Sequence, residues 1–348
     1  MPSHVTRSLP LAAVCWGLAS AAFAQSPPGI DCYKARAMPD RIACAESQLA
    51  FADKAMSGAY GQLVAALEGN ARQHLQDDQT AWLAARAPMC DSPRTLGEIE
   101  PDTADKKRIA TQECLSALNH LRAAWLKSMP TGRDYPFISS RMRSEAGSIP
   151  GIRYAFSAIY AQFSRPGVDY GRLNAALLDD TKEVFDKPNR DDVVGGRDQD
   201  WSRELTTSLT FATPTLVTVV KGMNVYAGGA HPNAWVTATM VDIPSGKVVT
   251  PADLFTPGYE AVFFKMIQAD LQEQFQTQPG FDDALEPAKL APLLKEARRW
   301  QVRGDGIDVT FDAYEVGPYA AGSYLVRLPY SRIATLIRRD GPLASKVR

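Results

Sequence analysis

The placement of the cysteines constrains this chain more than any other feature. Four of its five cysteines lie between residues 32 and 114, the fifth is Cys15, and residues 115–348 contain none. These four are Cys32, Cys44, Cys90 and Cys114. An even set in an exported segment indicates two disulfides. Zinc is the competing interpretation, but no Cys-x-x-Cys motif occurs and no histidine lies close to any of the four. We therefore expect disulfides, and neither a metal ion nor another cofactor.

The N-terminus predicts export. After Arg7, residues 1–24 carry no further Lys, Arg, Asp or Glu and end in a small-x-small motif. This pattern is typical of a signal peptide cleaved between Ala24 and Gln25. A retained anchor fits less well because the apolar run is short, and a lipoprotein acylated at Cys15 lacks the usual small residue before the cysteine. We expect a periplasmic or secreted mature protein without a membrane span.

Charge and length narrow the class further. The chain has 38 Lys and Arg and 39 Asp and Glu, and only Arg7 among them lies in the leader, so the mature net charge is −2. A nucleic-acid-binding protein usually shows a basic surplus, so nucleic acid is not expected as a partner. The roughly 320 mature residues exceed what one hydrophobic core usually organises, and two domains are expected.

The first domain, residues 25–129, is predicted to be helical. Apolar residues at steps of three and four predict helices over 45–68, 71–89 and 103–129. The short break after the first helix predicts an antiparallel hairpin, in which Asp53 faces Arg86. A partly buried ion pair is favoured over a ligand site for these two residues, because a lone charge on an apolar stripe would be costly.

The same hairpin gathers the four cysteines toward one end of the helical module. Four cysteines allow three pairings, and this geometry favours Cys32–Cys44 with Cys90–Cys114 without excluding the others. The bridges would stabilise a module too small to draw enough stability from burial alone.

A series of spaced residues in this segment resembles the LprI-type lysozyme-inhibitor domain. The series reads Asp31-Cys32-x-x-Ala35, Ile42-x-Cys44, Leu49, Asp53, Met56, Tyr60 and Gln79-x-x-Trp82-x-x-x-Arg86-x-x-x-Cys90. The resemblance covers residues 31 to about 128. It implies a small exported helical protein of a family in which some members inhibit lysozyme. The matched positions are those of a scaffold and do not name an inhibitory residue.

The second domain, residues 137–348, is predicted to be α+β with a mostly antiparallel sheet. Residues 130–136 have the composition of a linker. Strand-like and helix-like segments then mix without regular βαβ repetition. The expected strands are 153–163, 204–211, 216–226, 234–241, 306–311 and 322–329. The expected helices are 170–185, 260–276, 288–300 and 330–337.

The turns of this second domain carry another resemblance. They include Tyr226-Ala-Gly-Gly-Ala-His231-Pro-Asn233, Asp253-Leu254-Phe255 and Phe311-x-x-Tyr314-x-x-Gly317-Pro318-Tyr319-Ala-Ala-Gly322. They are similar to the exported domain of RsiV-type anti-sigma factors and of some peptidoglycan deacetylases, over about 137–338. In the anti-sigma relatives this domain senses lysozyme by binding it.

No catalytic centre is predicted. His231 lies in a glycine-rich turn without the partner that a general base or metal ligand needs, so a structural turn or a binding loop is favoured. Tyr319 is expected to be a core residue with a bonded hydroxyl, and an exposed aromatic anchor is the alternative. The turns at His231, Asn233 and Tyr319 are the candidate binding sites, because exposed turns on a rigid sheet commonly carry contacts.

The sequence therefore predicts a non-enzymatic binding protein. Both resemblances imply a lysozyme-type muramidase as its partner. The alternative is a peptidoglycan-binding or envelope-maintenance module, since the second domain also accompanies glycan-modifying enzymes in its relatives.

Overall fold

The computed structural model of the chain describes residues 26–91, 103–189 and 199–346. The expected leader and its cleavage site between Ala24 and Gln25 lie outside these residues. Within them, no helix combines the length and the apolar character that crossing a bilayer requires. The structure confirms a helical region with two disulfides, followed by an α+β region.

Three long helices form the N-terminal region. They are α1 (Met38–Ala66), α2 (Gly69–Asp91) and α3 (Ala104–Ser128). Thr103 caps α3, because its hydroxyl accepts a hydrogen bond from the Lys106 amide at 3.3 Å. Helix α1 packs along α3 more extensively than along α2. The disulfides join Cys32 to Cys44 near the start of α1, and Cys90 near the end of α2 to Cys114 within α3.

A six-stranded sheet follows in which spatial order equals chain order. Its strands are β1 (Ile138–Ile149), β2 (Ile152–Phe163), β3 (Gln199–Ala212), β4 (Leu216–Ala227), β5 (Asn233–Asp242) and β6 (Lys247–Val249). Only β2 and β3 pair in parallel, and helix α4 (Gly171–Val184) lies between them in the chain. Every other pair is antiparallel, which confirms the expected mostly antiparallel sheet.

The last third of the described chain builds a second, three-stranded sheet with its own core. The strands are β7 (Trp300–Val302), β8 (Gly306–Phe311) and β9 (Tyr324–Pro329). The surrounding helices are α5 (Pro251–Leu254), α6 (Tyr259–Gln274), α7 (Pro287–Leu294) and α8 (Tyr330–Ile333). Three aromatic rings pack at the centre of this core. Phe255 and Phe263 meet edge to face, and Trp300 is tilted against both.

One buried apolar cluster continues from the helices into the six-stranded sheet. It includes Trp82 of α2, Trp125 of α3, Ile159 of β2 and Val219 of β4. Tyr135, in the segment 130–136 that has linker composition, is itself buried in this cluster. The helices therefore pack directly against the six-stranded sheet and share one buried core with it.

Candidate functional site

The two turns singled out in the sequence lie together in the structure. Gly228 and Gly229 have φ values of 74° and 111°, which lets the chain reverse between β4 and β5 and place His231 on the surface. Tyr319 opens a short 3-10 helix between β8 and β9. The rings of His231 and Tyr319 stack with centroids 3.7 Å apart, and the Tyr319 hydroxyl donates to the Pro232 carbonyl at 2.7 Å. The second sheet thereby holds the β4–β5 turn of the first.

A third ring extends this stack toward solvent. Tyr314 lies 5.7 Å from Tyr319 between ring centroids, and its hydroxyl is 3.4 Å from Nε2 of His231. The φ of Tyr314 is +72°, in the left-handed region that a residue with a large side chain rarely occupies. Tyr314 is also 55% exposed. The Tyr314 amide donates to the Gly317 carbonyl at 3.0 Å, which closes the turn. The turn thus presents an aromatic ring outward at a conformational cost.

These turns border an open cleft of about 700 Å³. Its lining combines aromatic, acidic and basic side chains, chiefly Trp235, Arg298, Asp312, Tyr314, Glu315 and Tyr319, with Asn233 at the edge. The volume falls in the range of small-molecule pockets. Strand β5 supplies one wall and the segment after β8 supplies the other, so both sheets contribute.

Glu315 organises the charges beneath the cleft. It accepts two hydrogen bonds from the buried guanidinium of Arg299, one of them at 2.6 Å, and one from the Asp312 amide at 2.7 Å. Arg298 lies 3.2 Å from it. Burial alone raises the pKa of Glu315, but the bonds and charge of Arg299 outweigh it, so the pKa lies below its ordinary value. Glu315 is therefore a fixed anion.

The pKa of Asp312 is raised, whereas that of Glu315 is lowered. Oδ1 of Asp312 accepts from the Val236 amide of β5 at 2.9 Å, and its Oδ2 lies 3.5 Å from Nη1 of Arg298. Burial raises the pKa of Asp312 to about 6, and the nearby charge of Glu315 adds to that rise. The Val236 bond and the two arginines only partly offset these effects. The carboxylate is thus less well compensated than its neighbour.

The predicted pair Asp53 and Arg86 lies elsewhere, in the helical region. Nη1 of Arg86 donates to Oδ1 of Asp53 at 3.1 Å and to Oδ1 of Asn119 at 2.6 Å. Asn119 in turn donates to Asp53 at 2.6 Å, so α1, α2 and α3 each contribute one member. The Asp53 side chain is 45% exposed and that of Arg86 is 22% exposed, whereas Asn119 is fully buried.

Sequence analysis missed a second ion pair, which is more deeply buried. The side chains of Asp78 in α2 and Arg122 in α3 are at most 1% exposed, and Nη2 of Arg122 lies 2.8 Å from Oδ2 of Asp78. Gln79 accepts from Nε of Arg122 at 2.9 Å, and the other carboxylate oxygen of Asp78 accepts from the Ser140 amide of β1 at 3.1 Å. This network joins two helices to the sheet edge.

Across the ranges that the structure describes, no three His, Cys, Asp or Glu side chains converge as metal ligands. His231 contacts a carbonyl through Nδ1, at 3.0 Å from Pro232, and a phenol through Nε2. The cleft therefore offers groups that could contact a ligand. Aromatic rings, the carboxylates of Glu315 and Asp312 and the guanidinium of Arg298 line one opening.

Comparison with known proteins places the two regions separately. Residues 32–126 match the family model described as lysozyme inhibitor LprI, and residues 252–331 match that of a protein family of unknown function, DUF3298. Each match falls within the segment whose residues carried the corresponding resemblance, which confirms both. The second match contains Asp312, Tyr314 and Tyr319. No match to a curated protein was found.

Two solved structures of DUF3298 proteins match part of this chain. A DUF3298 family member from Bacteroides fragilis is 15% identical, covers 61% of this chain and 96% of its own, and has a TM-score of 0.46. A DUF3298 family protein from Pseudomonas aeruginosa is 17% identical, covers 58% and 94%, and has a TM-score of 0.42.

Proposed function

We propose that this chain is an exported, non-enzymatic binding protein that captures lysozyme-type muramidases and inhibits them by occlusion. The observation that carries the proposal is the match of residues 32–126 to a lysozyme-inhibitor family. Two disulfides within this segment suit an oxidising compartment. The periplasm or the exterior, reached after cleavage between Ala24 and Gln25, is the compartment we propose.

The cleft between the two sheets supplies a contact surface for such a partner. Its rings are anchored on strands and short turns, so little side-chain freedom is lost when a partner covers them. Tyrosine and tryptophan are enriched at the energetic centres of interfaces, and Tyr314, Tyr319 and Trp235 meet here. Lysozyme-type muramidases are basic proteins, so the carboxylates of Asp312 and Glu315 would favour encounter. The effect is local, because the chain as a whole is nearly neutral.

A specific observation favours the peptidoglycan alternative as the second candidate. The cleft is open, aromatic-lined and bordered by Asn233, a combination that also suits a neutral glycan. Binding of cell-wall glycan would then not require a muramidase. The two candidates therefore differ in whether the purified mature protein binds a muramidase or binds cell-wall glycan directly.

One experiment separates them. The full mature chain is titrated calorimetrically with lysozymes of several types, and in parallel it is sedimented with insoluble peptidoglycan. We expect a saturable one-to-one complex, slower lysis of cell-wall suspensions at stoichiometric protein, and weaker binding at high salt, since exposed charges are screened over roughly 10 Å at about 0.1 M. Retention on peptidoglycan without a complex with any lysozyme would overturn the proposal in favour of the alternative.

A further inference from the structure

The lining of the cleft restricts the chemical class of what it can bind. The ionised groups in and beneath it are three carboxylates, Glu296, Asp312 and Glu315, against two guanidiniums, Arg298 and Arg299. Arg299 is buried, and both of its hydrogen-bonded carboxylates already neutralise it. An anionic ligand would meet this acidic excess at close range, so anions are disfavoured.

Asp312 is the charged group of the cleft that would be stabilised most by a positively charged ligand. Among the described residues its ion pairing consists of the 3.5 Å contact with Arg298, which is long for a charge-assisted hydrogen bond. Burial holds the pKa of this carboxyl near 6, which shows how weakly its charge is compensated. A positive group entering the cleft would supply the missing compensation, whereas a neutral sugar hydroxyl would supply far less.

The rings on the walls suit the same class of ligand. The faces of tyrosine and tryptophan attract ammonium and guanidinium groups electrostatically. Tyr314 is held outward in a left-handed conformation that asparagine or glycine would adopt at lower cost. Backbone strain of this kind concentrates at functional sites. The exposed ring of Tyr314 is therefore suited to contact a cationic ligand.

We propose that the cleft is a recognition site for a cationic side chain, a lysine ammonium or an arginine guanidinium, presented by the partner protein, with Asp312 as its counter-ion and the rings of Tyr314 and Trp235 as its walls. The identity of that partner rests on the proposed function, but the chemistry of the site does not. It can be tested with a small probe in the absence of any muramidase.

The site has a signature in pH. A cation binds the ionised form of Asp312, so its affinity should fall about tenfold between pH 7 and pH 5 as a carboxyl with a pKa of about 6 takes up its proton. The charged groups that act on Asp312 are Glu315, Arg298 and Arg299, and Glu296 pairs with the same two arginines. Across the cleft, His231 contacts the hydroxyl of Tyr314. Asp312→Asn should abolish this pH dependence, because it removes the carboxyl that takes up the proton.

The test compares two isosteric probes, N-acetyl-arginine methylamide and N-acetyl-citrulline methylamide, on the full mature chain. Binding is followed by the NMR shift of the Trp235 indole N–H. We expect the arginine probe to bind at least tenfold more tightly than the neutral citrulline probe, and Asp312→Asn to abolish that preference. Asparagine can still accept from the Val236 amide, so this variant should keep the turn.

A second variant keeps the test independent of folding. Tyr314→Asn removes the ring and relieves the left-handed strain, so it should be as stable as the parent or more so. It should nevertheless bind the arginine probe about two- to fivefold more weakly. Matched controls at exposed positions, Asp283→Asn and Tyr33→Ala, should change neither affinity.

The outcomes are distinguishable from those of the proposed function. Arginine-selective binding that Asp312→Asn abolishes supports the site even if no lysozyme binds. Lysozyme binding that Asp312→Asn and Tyr314→Asn leave unchanged, or equal affinity for the two probes, overturns the site while the proposed function stands.

Discussion

The buried pair of Asp78 and Arg122 provides the sharpest test of how the helices are held on the sheet. One oxygen of Asp78 accepts from Arg122 at 2.8 Å, and the other accepts from the Ser140 amide at 3.1 Å. Nη1 of Arg122 is buried without a hydrogen-bond partner among the described residues. The substitution Asp78→Ala therefore leaves the buried guanidinium of Arg122 without its counter-ion, although its Nε still donates to Gln79. It also removes the acceptor of the Ser140 amide in β1.

The magnitude follows from burial. Removing one member of a buried ion pair costs about 3–5 kcal/mol of unfolding free energy, because the remaining charge stays desolvated. The unpaired Ser140 N–H places the expected loss at the upper end of that range, since an unsatisfied buried donor alone costs about 1–3 kcal/mol. Replacing both members, as Asp78→Leu with Arg122→Met, should recover most of the loss, because neither charge then remains.

Urea unfolding of the mature chain, followed by tryptophan fluorescence and by circular dichroism, measures these changes. Asp53→Ala is the matched control, since it removes an aspartate from a partly exposed ion pair. It also leaves the buried Asn119 amide without this acceptor, so it should cost about 1–3 kcal/mol, less than Asp78→Ala. Equal losses for Asp78→Ala and Asp53→Ala would refute the reasoning. A double variant less stable than Asp78→Ala would also refute it.

Three further predictions concern other parts of the chain. Arg86→Met should cost about 1 kcal/mol in the same urea assay, because Arg86 keeps partial solvent access and Asp53 retains its bond from the α3 amide side chain. Asp312→Asn should raise stability by up to about 3 kcal/mol at pH 7 and by little at pH 4. A carboxyl whose pKa is raised on folding destabilises the fold progressively as pH rises from about 4 to 6, and midpoints at the two pH values check this. Replacing Cys90 and Cys114 together by serine should cost about 3 kcal/mol, as expected for a bridge of sequence separation 24, and thermal melts under oxidising conditions measure it.

The regular elements could be predicted from sequence where one face is apolar. The expected helices at 45–68, 71–89 and 103–129 correspond to α1, α2 and α3, and the predicted strand at 306–311 has the bounds of β8. Helical and strand periodicities are local properties, so they are legible in short windows. Asp53 and Arg86 also meet, because a short break fixes the register of a hairpin.

Elements without such periodicity were missed. Strand β1 (Ile138–Ile149) carries Ser, Arg and Glu at most positions, because it lies at the sheet edge and pairs only with β2. The expected helix at 288–300 ends at Leu294, and Trp300 instead begins β7. Trp300–Val302 is too short to show a strand period of its own, and its pairing with β8 decides the structure there.

The cleft was only half visible in the sequence. Tyr319 and His231 could be named because they lie in distinctive turns, but their stacking joins two sheets that no local pattern relates. Asp312 carried a usable signal, since it is a polar residue directly after a fully buried strand. The pair of Asp78 and Arg122 carried none, because the packing of α2 against α3 depends on the sheet beneath both.

The continuous cluster beneath the helices has a consequence for the order in which the chain can fold. Its members include Trp82 and Trp125 early in the sequence, and Val241 and Ile243 more than a hundred residues later. Helices form quickly from local contacts, whereas pairing of distant strands is slow. A chain emerging from its N-terminus would therefore complete its helices and both cysteine bridges first. Their apolar face would stay uncovered, and open to self-association, until β5 arrived to finish the sheet.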